Sequence, residues 1–585
     1  MSDEIARHLF LNLHRDFQLL HGDGFGEKAL IAFSSSPSEF RDYVFPTLGE
    51  VTPSRFKAWW QLQNLFKRYQ FECDKYSPDE LIDLTYNKYF SFQESRSLYS
   101  PCKTTSFMVL QEARKIAKSI LSLPYKPELY RKNGKRATHG CTLKDAYFDN
   151  KLGSPVHFTC PTNLANDLQK EVDEDPLFKR VYNNLRKQSR RQSMPLLLGT
   201  DTLKLTLVPK SWKTLRPITP LSVFGLYWSY GIGGYVEECL RFHGLDIKRL
   251  QERHKYLAQK FSKTRTHVTA DLSSASDSLR SDLLNRVLPR SLFVDLRKTF
   301  IRQLEVGEKR YYTESVLPMG NAATFPVETL VFYCLIRAIG NLMKVQGIYS
   351  VYGDDLIYPR KIHTYVISIF NDLGIGINGE KTFCQSHFRE SCGGDYYHGI
   401  DVRPFLFPED RMPTGRLKEL QYLYKILNTL TRRWDPNEIP NCIKYLKSEI
   451  LMRANCMYFV PSSYPDTSGW KVDYIPSSTW FEPHSVHYAY ENGSAWIRFN
   501  HLGSTPPKNR SVVFEQIYYW DALRFRVQHE PLKASNQMNR TLARLFLRTC
   551  RCLEKSLQVK GKLLLESCHV EGKPRVSRGQ VSTWS

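Results

Sequence analysis

The segment Tyr352-Gly353-Asp354-Asp355 places two adjacent carboxylates between the apolar runs Ile348-Tyr349-Ser350-Val351 and Leu356-Ile357-Tyr358. Gly followed by a polar residue between two such runs predicts a tight hairpin turn. Two like charges side by side on a half-buried hairpin are unfavourable unless a cation binds beside them, so the pattern favours a divalent metal site. The alternative is a plain two-residue type II′ turn without a ligand.

A further candidate carboxylate, Asp271, ends the alternating segment 266–271, which predicts a strand with Thr269 and Asp271 on one face. If this strand neighbours the hairpin, Asp271 and Asp354 meet at one edge of a sheet, and oxygen-only ligation suits Mg²⁺ or Mn²⁺. In a strict strand the side chain of Asp355 would point to the opposite face from that of Asp354, although the turn breaks this alternation. We therefore rank Asp355 as a secondary ligand. For Asp271 the alternative is a helix cap.

The predicted elements over residues 266–383 follow the order strand, helix, helix, hairpin, helix, strand. We expect the helices after Ser273 or Ser274, from Gly320 to about Arg337, and over 362–373. This is the order that a ferredoxin-like split-βαβ sheet requires, with helices on one face and the other face open to ligand. The fold class predicted for this part of the chain is therefore α+β.

The composition favours a polyanionic partner. The chain has 585 residues, with 82 Lys and Arg against 59 Asp and Glu, a formal net charge of +23, and 13% aromatic residues. Cations mixed with aromatic side chains suit contacts with phosphates and stacking on bases. Ordinary solubility charge is the alternative.

The cysteine pattern and the apolar segments predict a reducing compartment and no membrane. The 13 cysteines include no pair with zinc-ligand spacing, so we expect free thiols. The N-terminus has no apolar core of signal-peptide length, and the longest apolar segment, 325–343, is interrupted by Glu328 and Arg337. We therefore expect neither export nor membrane spanning.

Three basic segments are candidates for contacts with phosphates. A predicted strand at 203–207 leads into a loop bounded by prolines, whose cations suit a triphosphate: Lys210, Lys213 and Arg216. Two further segments are candidates for nonspecific contacts with a nucleic-acid backbone, the first with Arg186, Lys187, Arg190 and Arg191, the second with Arg540, Arg544 and Arg548. For all three segments the alternative is a solvated basic surface.

Five ordered segments of the chain resemble the palm motifs A to E of the RNA-dependent RNA polymerases of single-stranded RNA bacteriophages, the Qbeta-like leviviruses. In chain order these are Asp271-Leu272-Ser273-Ser274-Ala275-Ser276-Asp277-Ser278, Met319-Gly320-Asn321 with Thr324-Phe325 and Glu328, Val351-Tyr352-Gly353-Asp354-Asp355, Lys381-Thr382-Phe383, and Phe388-Arg389-Glu390-Ser391-Cys392-Gly393. With flanking similarity the resemblance spans about residues 205–408.

The resemblance implies a right-hand polymerase with fingers, palm and thumb. Residues 1–200 would form an N-terminal fingers and template-contacting region, and 201–265 the basic fingers motif and connector. Residues 266–404 would form the catalytic palm with its split-βαβ sheet. Residues 405–585 would form a mainly helical thumb and a basic C-terminal region.

The activity that the resemblance implies is RNA-directed RNA polymerisation, which replicates a single-stranded RNA phage genome by two-metal nucleotidyl transfer from NTPs with release of pyrophosphate. Asp271, Asp354 and Asp355 would hold two Mg²⁺ ions, with Mn²⁺ as a substitute. Lys381 resembles the lysine proposed to protonate the departing pyrophosphate; a surface lysine after a turn is the alternative.

Sugar recognition is implied for residues of the first two motifs. Asp277 would accept a hydrogen bond from the ribose 2′-OH, or else it stabilises a helix N-terminus. The first motif is one residue longer than in other viral polymerases, so Ser276 could share this role. Gly320, Thr324 and Glu328 occupy the positions of the general pattern Gly-x-x-x-Thr-x-x-x-Asn, with Glu328 in place of Asn.

The resemblance also implies partners: template and product RNA, NTPs, host elongation factors Tu and Ts and, in some members, a host small-subunit ribosomal protein, all in the cytoplasm of an infected bacterium. Two other functions stay open. A reverse transcriptase also uses paired Asp residues, but it carries a bulky aromatic residue near the position of the polar Ser276-Asp277. A non-catalytic basic RNA-binding protein would use the acidic turn only structurally.

Overall fold

The computed structural model describes residues 2–36, 51–72, 78–97, 103–132, 159–174, 198–211, 214–460, 462–472, 486–491, 494–502 and 576–582, with single residues or short pieces at 40, 101, 134, 136–139, 141, 176 and 179. The chain forms two compact units. The first contains the described residues within Met1–Lys75, Pro404–Arg510 and Ala522–Ser585, and the second those within Tyr76–Arg403.

The described α-helices, in chain order, are α1 (Ser2–His21), α2 (Glu27–Ser35), α3 (Pro53–Asn64), α4 (Pro78–Ser97), α5 (Thr104–Ile120), α6 (Ala165–Glu174), α7 (Val223–Phe242), α8 (Ile247–Thr264), α9 (Ser281–Val287), α10 (Arg290–Thr299), α11 (Thr324–Leu342), α12 (His363–Asp372), α13 (Arg416–Thr431) and α14 (Pro440–Ala454).

The described strands are β1 (Thr159–Pro161), β2 (Leu198–Thr200), β3 (Thr202–Lys204), β4 (Thr206–Ser211), β5 (Thr214–Ile218), β6 (His267–Ser273), β7 (Gln303–Val306), β8 (Lys309–Tyr312), β9 (Ser350–Tyr352), β10 (Asp355–Pro359), β11 (Gly376–Ile377), β12 (Phe388–Ser391), β13 (Gly394–Tyr397), β14 (Ile400–Asp401), β15 (Phe459–Val460), β16 (Trp470–Lys471), β17 (Val486–Glu491), β18 (Ser494–Leu502) and β19 (Val576–Ser582).

A four-stranded sheet forms the centre of the second unit. Its strand order is β11-β6-β10-β9, and every neighbouring pair is antiparallel. The chain passes through α11 between β6 and β9 and through α12 between β10 and β11. This order and these connections are those of a split-βαβ sheet.

The two faces of this sheet have different environments. Val268 and Ala270 of β6 and Leu356 and Tyr358 of β10 are buried in the main core of the unit. Because side chains alternate along a strand, Asp271 and Asp355 belong to the opposite face. The sequence prediction of a strand ending in this region is confirmed, although β6 continues to Ser273.

Helix α11 supplies much of the main core, with most of its residues from Val327 to Ile339 almost completely buried and Tyr333 and Arg337 half-buried. Among the described helices, α11 alone is long and apolar enough to cross a membrane, judged by length and composition. However, 72% of its apolar window is buried inside the protein, so packing in the core explains its apolar character.

The first unit is held together by contacts between its N-terminal and later residues. The buried Gln61 on α3 exchanges two hydrogen bonds of 2.8 Å with the backbone of Phe405, and its Oε1 also accepts from Trp434 Nε1 at 3.0 Å. Asp16 on α1 accepts hydrogen bonds from the backbone N–H groups of Asn441 and Cys442 at the start of α14.

Three predictions differ from the structure. The division that joined residues 1–75 to a region ending at 200 does not match the compact units, because distant hydrogen bonds such as those of Gln61 are invisible in local sequence. Residues 208–211 and 214–217 belong to the paired strands β4 and β5 rather than to a loop. The chain after residue 405 contains strands β15 to β19 as well as helices.

The helix after β6 also begins later than predicted. Ser274 has a positive φ of 50°, and the chain makes a 3-10 turn at Ser276–Ser278 before α9 begins at Ser281. Ser278 Oγ donates to the carbonyl of Ala275 at 2.6 Å, so this serine stabilises the turn. Neither Ser273 nor Ser274 caps the helix.

Arg389 on β12 is fully buried and joins this strand to the beginning of β6. Its Nε donates to the carbonyl of His267 at 2.8 Å, and its Nη atoms donate to the carbonyls of Ser386, Phe388 and Cys384 at 2.6 to 3.0 Å. The planar fork of a guanidinium matches this set of acceptors, whereas a lysine ammonium does not.

We therefore expect Arg389→Lys to destabilise the second unit by about 2–3 kcal/mol, because buried carbonyls lose their donors. Arg249→Lys is the matched control, since the side chain of Arg249 is 90% exposed. Thermal unfolding followed by circular dichroism tests this. Equal unfolding midpoints for the two variants would contradict the structural role of Arg389.

Candidate functional site

The pairing of β6 with β10 brings the predicted carboxylates together. In this antiparallel pair Asp355 lies directly opposite Asp271. Such opposed residues project to the same face with Cβ atoms about 5 Å apart. Asp354 lies in the two-residue turn before β10, and its carbonyl accepts a hydrogen bond from the Leu272 N–H at 3.1 Å. The turn is thus fixed to the strand that carries Asp271.

Helix α11 contacts the acidic turn, Gly353-Asp354, and the residue before it, Tyr352. Gly353 has φ +61°, and its N–H donates to Thr329 Oγ1 at 3.0 Å. The Phe325 ring packs edge-on against Tyr352 with centroids 4.7 Å apart. A Cβ atom at Gly353 would lie 2.5 Å from the Phe325 ring, so only glycine combines this backbone conformation with this close approach.

Burial and mutual repulsion disfavour the ionised forms of the two turn carboxylates. The pKa of Asp354 is raised by burial and then by Asp271, while Lys381 and Lys210 oppose the shift. The pKa of Asp355 is raised to about 7 by burial, then by Asp354 and Glu390. A bound cation would relieve both effects.

Asp271 already has two hydrogen-bond donors. Its Oδ2 accepts from Asn378 Nδ2 and from Lys381 Nζ, each at 3.2 Å. The Asn378 N–H also donates to the Asp271 carbonyl at 2.9 Å. Burial acts to lower the pKa of Lys381, but Asp271 and Glu390 outweigh it and raise that pKa. Lys381 is therefore a protonated partner of Asp271.

The β4–β5 hairpin adds further cations. Burial lowers the pKa of Lys210, and the charges of Arg216 and Lys381 lower it further, whereas Asp271 and Asp354 oppose the change. Lys210 therefore lies within electrostatic range of both carboxylates. Lys213, predicted for the same group, lies outside the described residues, as do both predicted RNA-binding segments: Arg186, Lys187, Arg190, Arg191, Arg540, Arg544 and Arg548.

Two more carboxylates are buried near the acidic turn. Asp277 and Glu328 are each 6% exposed. Burial raises the pKa of Asp277 to about 7. The pKa of Glu328 is raised well above its ordinary value by burial, then by Asp354 and Asp277. Both side chains are thus in an environment that favours the protonated carboxyl near neutral pH.

Other predicted sugar-binding residues take part in local structure. The Thr324 hydroxyl donates to the carbonyls of Leu317 and Pro318 at 3.2 and 2.9 Å. Gly320 has φ +116°, and a Cβ there would collide with the carbonyl of Thr219. Ser276 is buried, and its carbonyl accepts from Ser315 Oγ at 3.1 Å. These contacts shape the loop before α11.

The donor set fits a hard divalent cation in its chemistry. Asp271, Asp354 and Asp355 offer only oxygen ligands, and the charge of Asp271 adds to the burial that raises the pKa values of Asp354 and Asp355, as expected around a cation site. In the arrangement seen, Lys381 and Asn378 engage Asp271, and no group of three or more His, Cys, Asp or Glu among the described residues has the geometry to hold a metal ion.

Sequence reasoning missed residues that position the site. Asn378 binds Asp271 through both backbone and side chain, and Thr329 holds the turn. Asn378-Gly379 has the composition of an ordinary turn, and Thr329 looks like one more residue of an apolar helix. Cys392, whose N–H donates to Asp355 Oδ2 at 3.1 Å, lies in a segment noted only for its resemblance.

The sequence matches the family "RNA replicase, beta-chain" over residues 137–476, more than half of the chain. The chain belongs to this family of phage-type replicase subunits.

Two named relatives illustrate the similarity. The RNA-directed RNA polymerase subunit beta of Qbeta virus (strain MX1) is 34% identical over 268 residues, 45% of each protein. The RNA-directed RNA polymerase beta chain of Enterobacteria phage GA is 26% identical over 392 residues, 63% of this chain and 68% of the relative. The match to the Qbeta protein therefore spans less than half of that relative's length.

Among solved structures, the RNA-dependent RNA polymerase of a human picorbirnavirus aligns with 43% of this chain and 57% of its own, at 15% identity and a TM-score of 0.30.

The contact between Gly353 and Phe325 predicts a graded effect of adding a methyl group. Gly307 has nearly the same φ, +60°, but open space around it. Gly307→Ala should therefore cost about 1 kcal/mol from the backbone alone, and Gly353→Ala about 2–4 kcal/mol because the Phe325 ring must also move. Thermal or denaturant unfolding of both variants tests this, and equal losses would contradict the close contact.

The raised pKa of Asp277 predicts a pH-dependent stability. The folded state holds this proton to about pH 7, whereas an unfolded Asp releases it near pH 4, so Asp277 costs stability as pH rises from about 4 to 7. Asp277→Asn should leave stability little changed at pH 4 and increase it by up to about 4 kcal/mol at pH 8.

Unfolding midpoints measured from pH 4 to 8 test this effect. The control is Asp201→Asn, a substitution at an exposed position. Parallel curves for wild type and Asp277→Asn would contradict the assignment.

Proposed function

We propose that this chain is an RNA-directed RNA polymerase that copies a single-stranded RNA phage genome from NTPs. The observation that carries the proposal is the convergence of Asp271, Asp354 and Asp355 where the central strands β6 and β10 meet the Gly353-Asp354 turn, beside Lys210 and Lys381. Membership of the RNA replicase beta-chain family supports it. The proposal extends to the whole chain an activity printed in the names of relatives that match part of it.

The proposed architecture is a right hand. The β11-β6-β10-β9 sheet supports a palm over residues 266–404, and the adjoining β4–β5 hairpin supports fingers within 201–265. We assign the remaining N-terminal residues to the fingers and template region and residues 405–585 to the thumb. The packing of residues 1–75 with the thumb segment amends that division.

In the proposed reaction, the 3′-hydroxyl oxygen of the growing RNA attacks the α-phosphorus of an NTP. A new P–O bond forms, the bond to pyrophosphate breaks, and the hydroxyl proton passes to water. Lys210 and Arg216, with Lys213, would bind the triphosphate through charge-assisted hydrogen bonds. Lys381, which stays protonated beside Asp271, would give its proton to the departing pyrophosphate.

Asp271, Asp354 and Asp355 would hold the two Mg²⁺ ions, or Mn²⁺. Bound there, such ions would lower the pKa of the attacking hydroxyl and neutralise charge on the phosphates. The protein's own contribution is to keep three carboxylates together on the rigid β6–β10 pair, with Asp354 held by the turn.

Selection of the ribose is proposed for the buried Asp277, Ser276 and Glu328. A protonated carboxyl can both donate to and accept from a 2′-OH, and the pKa values of Asp277 and Glu328 are raised. Gly320 and Thr324 would shape the loop that faces the sugar. This polar group also argues against the reverse transcriptase alternative.

The proposed partners are template and product RNA, host elongation factors Tu and Ts, and a host small-subunit ribosomal protein. The setting proposed is the cytoplasm of the infected bacterium, without a membrane. The basic segments around Arg186 and Arg540 would follow RNA phosphates nonspecifically. These proposals rest on the family resemblance and on the basic composition.

Asp354→Asn should reduce RNA extension by at least about 10²- to 10³-fold, because it removes a charged oxygen ligand from the reaction centre. The extension rate is measured as incorporation of labelled nucleotides with Mg²⁺ on a phage-type RNA template. The matched control is Asp201→Asn, at an exposed position. A folded Asp354→Asn protein that extends RNA at the wild-type rate would refute the metal assignment.

The choice between rNTP and dNTP on the same RNA template separates the proposal from its rivals. An RNA polymerase should strongly prefer rNTPs, and Asp277→Ala should reduce that preference by about 10-fold or more, since a good hydrogen bond to a hydroxyl is worth at least about 1.4 kcal/mol. A preference for dNTPs would favour a reverse transcriptase. RNA binding without release of pyrophosphate would favour a non-catalytic protein.

A further inference from the structure

His254 lies on α8, in the same unit as the acidic turn, and is completely buried. Both of its ring nitrogens are engaged by serine hydroxyls. Nδ1 lies 2.9 Å from Ser391 Oγ, and Nε2 lies 2.9 Å from Ser350 Oγ. The imidazole therefore bridges two elements that are far apart in sequence.

Both of these elements lead to the acidic residues. Ser350 is the first residue of β9, the strand that enters the Gly353-Asp354 turn. Ser391 is the last residue of β12, and the next residue, Cys392, donates its N–H to Asp355 Oδ2 at 3.1 Å. One buried ring thus connects the strand before Asp354 with the backbone group that holds the Asp355 carboxylate.

The geometry of the second support is well defined. Ser391 pairs with Gly394, so Cys392 and Gly393 form a two-residue turn, with φ angles of 51° and 75°. Positive φ at both central residues is typical of a type I′ turn, which is rigid and matches the twist of the flanking strands. The position of the Cys392 N–H is therefore fixed by the position of Ser391.

The chemistry of the ring suits a fixed connection. A neutral imidazole donates from one nitrogen and accepts at the other, and each serine hydroxyl can take the complementary role. Burial, followed by the charge of Arg253, lowers the pKa of His254 to about 3, so the ring is neutral at physiological pH. With both nitrogens bonded, the ring has no free position for exchanging a proton with a substrate.

A histidine that only fills the core would not need partners on these two elements. His363 provides the comparison within the same unit. Its Nδ1 lies 3.0 Å from the Tyr358 hydroxyl, toward the other end of β10 from Asp355. His363 therefore also joins a helix to this sheet, but at a point remote from the acidic turn.

We propose that His254 is a positioning residue of the polymerase site: through Ser350 and Ser391 it fixes the acidic turn relative to the Cys392 turn and thereby aims the Asp355 carboxylate at the site shared with Asp271. The inference deepens the proposed function and rests on it. It assigns His254 an effect on cation binding that does not depend on contact with RNA or NTP.

The test compares substitutions at His254 in the full-length protein, purified with its associated host proteins. His254→Phe keeps a ring but removes both nitrogens, His254→Asn retains a group near the Nδ1 position, and His254→Gln retains one near Nε2. His363→Phe is the matched control. Folding is checked by thermal unfolding, and the Ser350→Ala, Ser391→Ala double variant provides the same test should His254→Phe fail to fold.

Two quantities are measured: the affinity for Mn²⁺ without RNA or NTP, by electron paramagnetic resonance, and the Mg²⁺ concentration for half-maximal RNA extension. For His254→Phe we expect Mn²⁺ affinity to fall by about 10- to 100-fold, the range found when groups that orient metal ligands are removed, and the Mg²⁺ requirement to rise in parallel. His254→Asn and His254→Gln should lie between this variant and wild type, and His363→Phe should match wild type.

Wild-type Mn²⁺ affinity in folded His254→Phe, or in the double serine variant, would overturn the inference. A loss of RNA extension with unchanged Mn²⁺ affinity, or an equal loss of affinity in His363→Phe, would overturn it as well. Failure of the proposed function would give a different result. The wild-type protein would make no RNA from NTPs, but the His254 variants would still differ from it in Mn²⁺ affinity.

Discussion

The antiparallel register of β6 and β10 is the constraint on which the rest of the site depends. It places Asp355 opposite Asp271 on the two central strands, and the two-residue turn before β10 adds Asp354 beside them. Burial, and after it the repulsion between neighbouring carboxylates, raises the pKa values of Asp354 and Asp355. The surrounding residues are arranged to tolerate this repulsion and to keep the carboxylates in place.

Two kinds of support serve this purpose. Cations and donors act directly on the charges: Lys381 and Asn378 bind Asp271, Cys392 donates to Asp355, and Lys210 lies within electrostatic range. Uncharged contacts fix the backbone, among them the hydrogen bond from Gly353 to Thr329. A structure that held the carboxylates only through charge would rearrange whenever a substrate or cation entered.

The local elements of the site could be predicted from sequence because their signals are local. Alternation over 266–271 and the Gly-Asp pair between two apolar runs identified β6 and the β9–β10 hairpin. The register that opposes Asp355 to Asp271 could not be predicted, since local sequence does not fix which residues of two distant strands lie opposite each other. Asn378 and His254 were missed because their partners, Asp271, Ser350 and Ser391, lie far away in sequence.

The central claim is that Asp271 and Asp354 act as one unit, and a double-mutant cycle tests it most directly. Single-nucleotide extension of RNA is measured for Asp271→Asn, Asp354→Asn and the double variant, each shown to be folded. If the two carboxylates serve one site, the double variant should be about as slow as the slower single variant, because residues that act together give non-additive losses. Losses that multiply, so that the double variant is slower by the product of the two single effects, would show that the carboxylates act independently and would contradict the account.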